Sequence, residues 1–131
     1  MKRSARAFYA AVASGIFLVE IAIAAGVVAG PFVRGSVGDI LAVALIYFVL
    51  RVLLVSPVKA AVTAVAVGFA IEALQFFHVA DWLGLDRGGI PYLLIGNTYS
   101  PVDLIMYAVG GGGALSIDRY LLGPRLASAT A

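Results

Sequence analysis

Residues 58–77, VKAAVTAVAVGFAIEALQFF, form an apolar run that contains one carboxylate and one amide near its end. At 1.5 Å per residue, a helix of this length crosses about 30 Å, the thickness of a bilayer's hydrocarbon core. Glu72 and Gln75 are three residues apart, so they lie on one face of that helix. The stretch therefore predicts a membrane-spanning helix with a polar face in its second half.

The composition of the whole 131-residue chain supports a membrane protein. Hydrophobic residues make up 63% of it and charged residues only 12%, whereas soluble domains carry about 25% charged residues. The apolar stretches predict four spans, at about 8–30, 37–55, 58–77 and 101–122. The first span is longer than the apolar core of a signal peptide and is interpreted as a signal anchor. The expected fold is all-α: one integral membrane four-helix bundle over residues 1–131.

The distribution of basic residues predicts the orientation of this bundle. With the N-terminus inside, seven Lys and Arg residues flank the inner ends of the spans, and only Arg34 and Arg87 lie outside. This asymmetry follows the positive-inside rule. We expect both termini to be cytoplasmic, in a bacterial plasma (inner) membrane. The second outer loop, 78–100, is long, and its aromatic residues and the segment IPYLLIG predict an interfacial stretch.

Several classes of function are excluded by what the chain lacks. It contains no cysteine and one histidine, which excludes disulfides, thiol catalysis and Cys- or His-rich metal sites. The net charge is only +2 and no basic stripe with interleaved aromatics occurs, so nucleic acid is not an expected partner. No phosphate loop, Ser–His–Asp order or metal cluster is present, so no cofactor or metal is predicted. Whether the protein is an enzyme stays open.

Asp39 and Asp103 occur in matching contexts, SVGD (36–39) and SPVD (100–103), each at the start of a predicted span. Both match the capping-box pattern, and Pro101 occupies a preferred first helical position. Helix capping is therefore the structural interpretation. A capped aspartate keeps free lone pairs, so both residues are also candidates for a catalytic or binding role.

Glu72 needs a different explanation, because an ionised carboxylate inside a membrane is energetically expensive. It must be protonated, paired or exposed to a water-filled pocket, and the outer-loop residues Arg34 and Arg87 are the expected cationic partners. A structural ion pair and a ligand or catalytic site are both open. Glu20 in the first span lies at a similar depth, so a pair of carboxylates is a further alternative.

At the inner ends of the spans, the charged residues have simpler interpretations. Arg51 is expected to extend its side chain to the inner surface. Asp118, like Asp81 and Asp86, is expected to be a solvated loop charge.

Glycines mark the expected packing surfaces of the bundle. Gly26 and Gly30 form a G-x-x-x-G pattern, and Gly110, Gly111, Gly112 and Gly113 form a run in the fourth span. Small residues let helices approach closely in lipid. The first interpretation is that these glycines allow internal packing. The alternatives are contact with a second copy, contact with a larger membrane protein, or a hinge.

The segments FVRGSVGDIL, FAIEALQFF and LIGNTYSPVDLIMYAVG carry a resemblance to a known family. Over roughly Glu20 to Gly110, the chain resembles the small four-span bacterial membrane proteins of domain-of-unknown-function family 2809. The residues that carry this resemblance are Arg34, Gly38, Asp39, Arg51, Glu72, Gln75, Gly96, Asp103 and Tyr107. The E-x-x-Q pattern is also similar, more weakly, to VanZ-like proteins linked to teicoplanin resistance, which carry Asn in the region of Tyr107. The resemblance implies a topology and a set of motif residues, but no activity.

The polar residues gather near the outer leaflet and predict a cup open to the outside. The catalytic candidates are Glu72, Asp103 and Asp39, and the ligand-binding candidates are Arg34, Arg87, Gln75, Asn97 and Tyr107. The leading hypothesis is that this cup binds or modifies an anionic lipid or a lipid-linked envelope precursor. The alternative is a non-enzymatic accessory subunit that packs against a larger membrane complex. A transporter is third, because no polar path reaches the inner face.

Overall fold

The computed structural model describes residues 2–27 and 30–129, and these residues form helices without any β-strand. The helices are α1 (Lys2–Ala24), α2 (Gly38–Val52), α3 (Pro57–Phe76), α4 (Val79–Trp82), α5 (Ile90–Ile95), α6 (Pro101–Ile117) and α7 (Gly123–Ala129). Two wide-turned π segments, Val33–Val37 and Asp118–Leu122, precede α2 and join α6 to α7. The predicted all-α class is confirmed for the described residues.

Three helices are long and apolar enough to cross a membrane: Lys2–Ala24, Val33–Val52 and Pro57–Phe76. They correspond to the first three predicted spans, although the second begins at Val33 rather than at Val37. The helix α6 is shorter, at 17 residues, which is about 25 Å of helix. Its length, and not a lack of apolar residues, separates it from the other three helices.

The helix α2 is central, because it packs against α1, α3 and α6, and α6 also packs against α3. Arg51 of α2 contacts Asp118 just after α6, and Asp39 at the start of α2 contacts Asp103 at the start of α6. The helices α2 and α6 therefore run in the same direction, opposite to α1 and α3. We call the two ends of the bundle the loop end, with residues 77–100, and the terminal end, with the 53–56 turn.

The first helix ends in a glycine-stabilised turn. Gly26 has a φ of +78°, and the backbone N–H groups of Gly26 and Val27 donate to the carbonyl oxygens of Ile23 and Ala22, at 3.1 and 3.0 Å. This is the Schellman arrangement, which favours glycine at the positive-φ position. Gly30 also has a positive φ, +118°. The prediction that Gly26 and Gly30 form a helical packing face was wrong, because both lie beyond the end of α1.

The glycine run of α6 lets this helix approach its neighbours closely. A Cβ atom on Gly110 would lie 2.5 Å from the carbonyl oxygen of Ile40 in α2, and one on Gly111 would overlap the Val65 side chain in α3. The next two glycines of the run have no such neighbour within 4 Å. Internal packing therefore explains Gly110 and Gly111, while the other two lie on the surface of the bundle.

The prediction that Asp118 is a solvated charge was wrong, since it is 1% exposed. Its carboxylate accepts hydrogen bonds from the Tyr9 hydroxyl (2.7 Å), the Tyr47 hydroxyl (2.6 Å) and Nε of Arg51 (2.7 Å). Arg51 also donates to the Tyr9 hydroxyl and, at 2.6 Å, to the carbonyl oxygen of Val55 in the turn before α3. Arg51 thus does not extend towards the surface. The terminal-end cluster (Tyr9, Tyr47, Arg51 and Asp118) ties α1, α2 and the end of α6 together.

Candidate functional site

A pocket of about 340 Å³ lies at the loop end, between α1, α2, α3, α5 and α6. We call it the loop-end pocket. Its lining combines apolar residues with the polar side chains of Glu20, Arg34, Asp39, Gln75 and Tyr107. Four of these five are site residues predicted from the sequence, and the fifth, Glu20, was considered only as part of a carboxylate pair.

The first π segment places Arg34 and Asp39 on the pocket side of the second helix. In this segment the N–H of Gly38 bonds to the carbonyl oxygen of Val33, five residues earlier. Such wide turns bring residues five apart closer to one face than an α-helix does. Ser36 lies inside this helical segment, and no side chain caps it or α2. The predicted capping box at Asp39 was therefore wrong, and its carboxyl group is available to the pocket.

Glu72 is buried behind the pocket, at 1% exposure. Its two carboxyl oxygens accept hydrogen bonds from the backbone N–H of Ser100 (3.1 Å) and from the Tyr107 hydroxyl (3.3 Å). No ion pair joins Glu72 to a described Lys or Arg residue, so the expected pairing with Arg34 or Arg87 is not found. Neutral donors on α6 and just before it satisfy this carboxyl group instead.

The start of α6 explains why the Ser100 N–H is available to Glu72. Ser100 and Pro101 occupy the predicted N-cap and first-turn positions, but no side chain makes a capping bond there. In a capping box, the side chain at the position of Asp103 would accept the Ser100 N–H. Glu72 accepts that hydrogen bond from a different helix. The contact fixes the start of α6 against the end of α3.

Three carboxyl groups form a continuous series next to the pocket. Asp103 lies close to both Asp39 and Glu72. Carboxyl groups at such short range repel each other when they are ionised. Within residues 2–27 and 30–129, no three acidic or histidine side chains form a group that could hold a metal ion. The series is suited to holding protons and hydrogen bonds.

Two predicted ligand-binding residues lie away from the pocket. Nδ2 of Asn97 donates to Asp81 at 2.7 Å, and the guanidinium of Arg87 lies 3.6 Å from the same carboxylate. The Arg87 side chain is 78% exposed. Asn97 and Arg87 therefore stabilise the 77–100 connection through their contacts with Asp81. Asp81 is thus a structural partner in this connection, in addition to being a charged residue in contact with solvent.

The short helix α5 forms one wall of the pocket. Nε2 of Gln75 donates to the carbonyl oxygen of Ile95 at 2.7 Å and ties α5 to α3. Gly96, which follows α5, has a φ of +72°, and a Cβ there would lie 2.8 Å from Nε2 of Gln75. Leu93 and Leu94 line the pocket and are also largely exposed. The pocket therefore lies directly beneath an apolar surface segment.

Comparison with known proteins gives one match. The family model described as "Protein of unknown function (DUF2809)" matches residues 28–111, more than half of the chain. The chain belongs to this family. The match confirms the first resemblance seen in the sequence. No curated protein and no solved structure matches the chain, and the similarity to VanZ-like proteins finds no support.

The DUF2809 match covers part of the bundle described above. It includes all the predicted site residues, namely Arg34, Asp39, Glu72, Gln75, Arg87, Asn97, Asp103 and Tyr107. Glu20 on α1 and Asp118 after α6 lie outside the matched range. The loop-end pocket thus combines residues from the family region with one residue from the helix that precedes it.

The hydrogen bonds of Glu72 lead to a first prediction. We expect Glu72→Ala to lower the free energy of unfolding by about 1–3 kcal/mol, because it leaves a buried N–H and a buried hydroxyl without acceptors. Glu72→Gln should lower the free energy of unfolding much less. Its amide oxygen still accepts a hydrogen bond, and its amide N–H groups can donate to Asp103. Thermal unfolding in detergent measures both variants. An unchanged stability of Glu72→Ala would show that Glu72 does not stabilise the start of α6, and an equal loss in both variants would show that accepting these two hydrogen bonds is not its contribution.

Proposed function

We propose that this DUF2809 protein is a four-span protein of the bacterial inner membrane with both termini in the cytoplasm. The helix α6 supports the fourth span, because it packs against both α2 and α3, two of the helices that are long enough to cross. The orientation is supported by exposed basic residues at the terminal end, which are Lys2, Arg3, Arg6, Lys59, Arg119 and Arg125. In this arrangement the loop-end pocket opens near the outer leaflet.

The proposed function of the pocket is to bind the headgroup of an anionic lipid or a lipid-linked envelope precursor. One observation carries it: the side chain of Arg34 lines the pocket but makes no hydrogen bond or ion pair with any described residue. A guanidinium at a membrane surface, without a partner among these residues, suits a phosphate, which it can bind through two parallel hydrogen bonds. Asp39, Gln75 and Tyr107 supply further polar contacts for the headgroup.

Binding is better supported than chemical modification. Of the three catalytic candidates, only Asp39 lines the pocket. Glu72 is buried and already accepts two hydrogen bonds, and Asp103 contacts the other two carboxyl groups. The exposed leucines of α5 place an apolar surface next to the pocket, which suits a ligand with an acyl chain.

Arg34→Gln provides the test of lipid binding. We expect this variant to bind a phosphatidylglycerol probe about 10- to 100-fold more weakly, the loss expected for one charge-assisted hydrogen-bonding group. Arg87→Gln is the matched control, because Arg87 lies on the same side of the bundle but outside the pocket. Native mass spectrometry of the detergent-solubilised protein measures both. An equal effect of the two changes, or none, would contradict binding in this pocket.

A shallow apolar groove favours the second candidate function, an accessory subunit of a larger membrane complex. The groove measures about 400 Å³ and lies between α3 and α6, where it is lined by Ala61, Val62, Val65, Ala66, Phe69, Gly111 and Gly112. Surfaces of small residues allow close helix packing in lipid. A stoichiometric partner that co-purifies and crosslinks to this groove would favour the accessory role over lipid binding.

A further inference from the structure

The side chain of Glu20 is incompletely satisfied in the loop-end pocket. Its Oε1 atom is buried and has no hydrogen-bond partner; in the described part of the chain only Oδ1 of Asn97 shares that property. A buried oxygen without a donor is unfavourable, and most such atoms in proteins are paired. Because Glu20 lines the pocket, a bound molecule can supply the missing donor once the carboxyl group turns towards the pocket.

The pocket also presents one guanidinium and two carboxyl groups that do not pair with each other. Arg34 lies on the π segment before α2, whereas Glu20 and Asp39 lie on α1 and α2 and are close enough to interact electrostatically. None of the ion pairs formed by described residues joins Arg34 to either acid. A headgroup that only accepts hydrogen bonds would satisfy Arg34 but would leave Oε1 of Glu20 without a donor.

We propose that the loop-end pocket selects a zwitterionic phosphodiester headgroup that carries a primary ammonium group. The phosphate contacts Arg34 and the ammonium contacts Glu20 and Asp39. This inference rests on the lipid-binding function proposed above, keeps the contact between phosphate and Arg34, and replaces the anionic headgroup by a zwitterionic one. One ligand then supplies partners for Arg34, which has none among the described residues, and for Oε1 of Glu20.

The number of donors favours a primary over a quaternary ammonium group. A primary ammonium carries three N–H donors, enough for Oε1 of Glu20 and for the Asp39 carboxyl group. A trimethylammonium group has no donor and is usually bound by several aromatic side chains. Tyr107 is the single aromatic residue lining this pocket in the described chain. The pocket volume, about 340 Å³, lies within the range of about 300–1,000 Å³ of small-molecule sites.

The test compares three lipids with identical acyl chains, phosphatidylethanolamine, phosphatidylcholine and phosphatidylglycerol, by native mass spectrometry of the full chain in detergent. We expect the wild-type protein to bind the ethanolamine lipid about tenfold more tightly than the other two. Glu20→Gln should remove this preference and leave the affinity for phosphatidylglycerol unchanged or higher. Arg34→Gln should weaken binding of all three lipids.

The outcomes separate this inference from the proposed function. If Glu20→Gln keeps the preference, or if the wild-type protein prefers phosphatidylglycerol, the zwitterionic headgroup is refuted while lipid binding through Arg34 stands. If Arg34→Gln changes the affinity for none of the lipids, the lipid-binding function itself is refuted. Asp86→Asn, an exposed acid outside the pocket, is the matched control. Should Glu20→Gln fail to fold, Glu20→Asp, which withdraws the carboxyl group by one methylene, gives the same comparison.

Discussion

Replacing Gly110 with alanine should markedly lower the thermal stability of this protein, whereas the same replacement at Gly113 should not. A Cβ on Gly110 would lie 2.5 Å from the carbonyl oxygen and 3.1 Å from the Cα of Ile40. These are backbone atoms, so the overlap is relieved only if α2 and α6 move apart. Overpacking of a tight core site typically lowers the free energy of unfolding by about 1–3 kcal/mol. We expect the loss for Gly110→Ala to lie at the upper end of this range.

Gly113 is a control in the same helix. No atom lies within 4 Å of a Cβ built there, and alanine favours the helix more than glycine does. Thermal unfolding of the two variants in the same detergent, followed by far-UV circular dichroism, makes the comparison. Similar unfolding temperatures for both would show that α2 and α6 are not in backbone contact at Gly110.

The second large loss of stability is expected when Asp118 is replaced. Asp118→Ala removes the acceptor for Arg51 and for the hydroxyl groups of Tyr9 and Tyr47. Removal of one partner of a buried ion pair typically costs about 3–5 kcal/mol, because a buried charge is left uncompensated. Unfolding in detergent by a denaturant titration measures the loss, and Asp86→Ala serves as the exposed control.

A double variant tests whether the loss comes from the unpaired arginine. Arg51→Met combined with Asp118→Leu removes both charges and should recover part of the stability, as apolar replacements of buried ion pairs often do. If Asp118→Ala is no worse than Asp86→Ala, the terminal-end cluster does not hold the bundle together. If the double variant is as unstable as the sum of the two single changes, the charges act independently.

The sequence predicted the helices better than their ends. Apolar length alone located α1, Val33–Val52 and α3, because a hydrophobic run of about 20 residues is typical of a membrane-spanning helix. The start of the second helix was misplaced, because SVGD matches a capping pattern and gives no sign of a π segment. The end of α1 was misplaced because Gly26 was interpreted as a packing residue and is a helix terminator.

The site was predicted in part. The shared depth of Arg34, Asp39 and Gln75 followed from helix geometry, whereas Tyr107 was chosen from the family resemblance, and all four residues line one pocket. The partners of Glu72 were missed because one of them is a backbone N–H, which no side-chain pattern reveals. The role of Asp118 was missed because its partner Tyr9 is 109 residues away. A search for tyrosines and arginines at matching depth near the inner ends of the spans could have found that cluster.

The anchoring of α1 limits how the loop-end pocket can open. Among the described residues, Tyr9 makes the side-chain hydrogen bonds that connect α1 to other helices, and it lies near the terminal end. Eleven residues separate Tyr9 from Glu20, which corresponds to about 16 Å of helix. A tilt of α1 by about 5° around Tyr9 therefore moves Glu20 by about 1.5 Å. A small movement of α1 about Tyr9 would therefore change the position of Glu20 relative to the rest of the loop-end pocket.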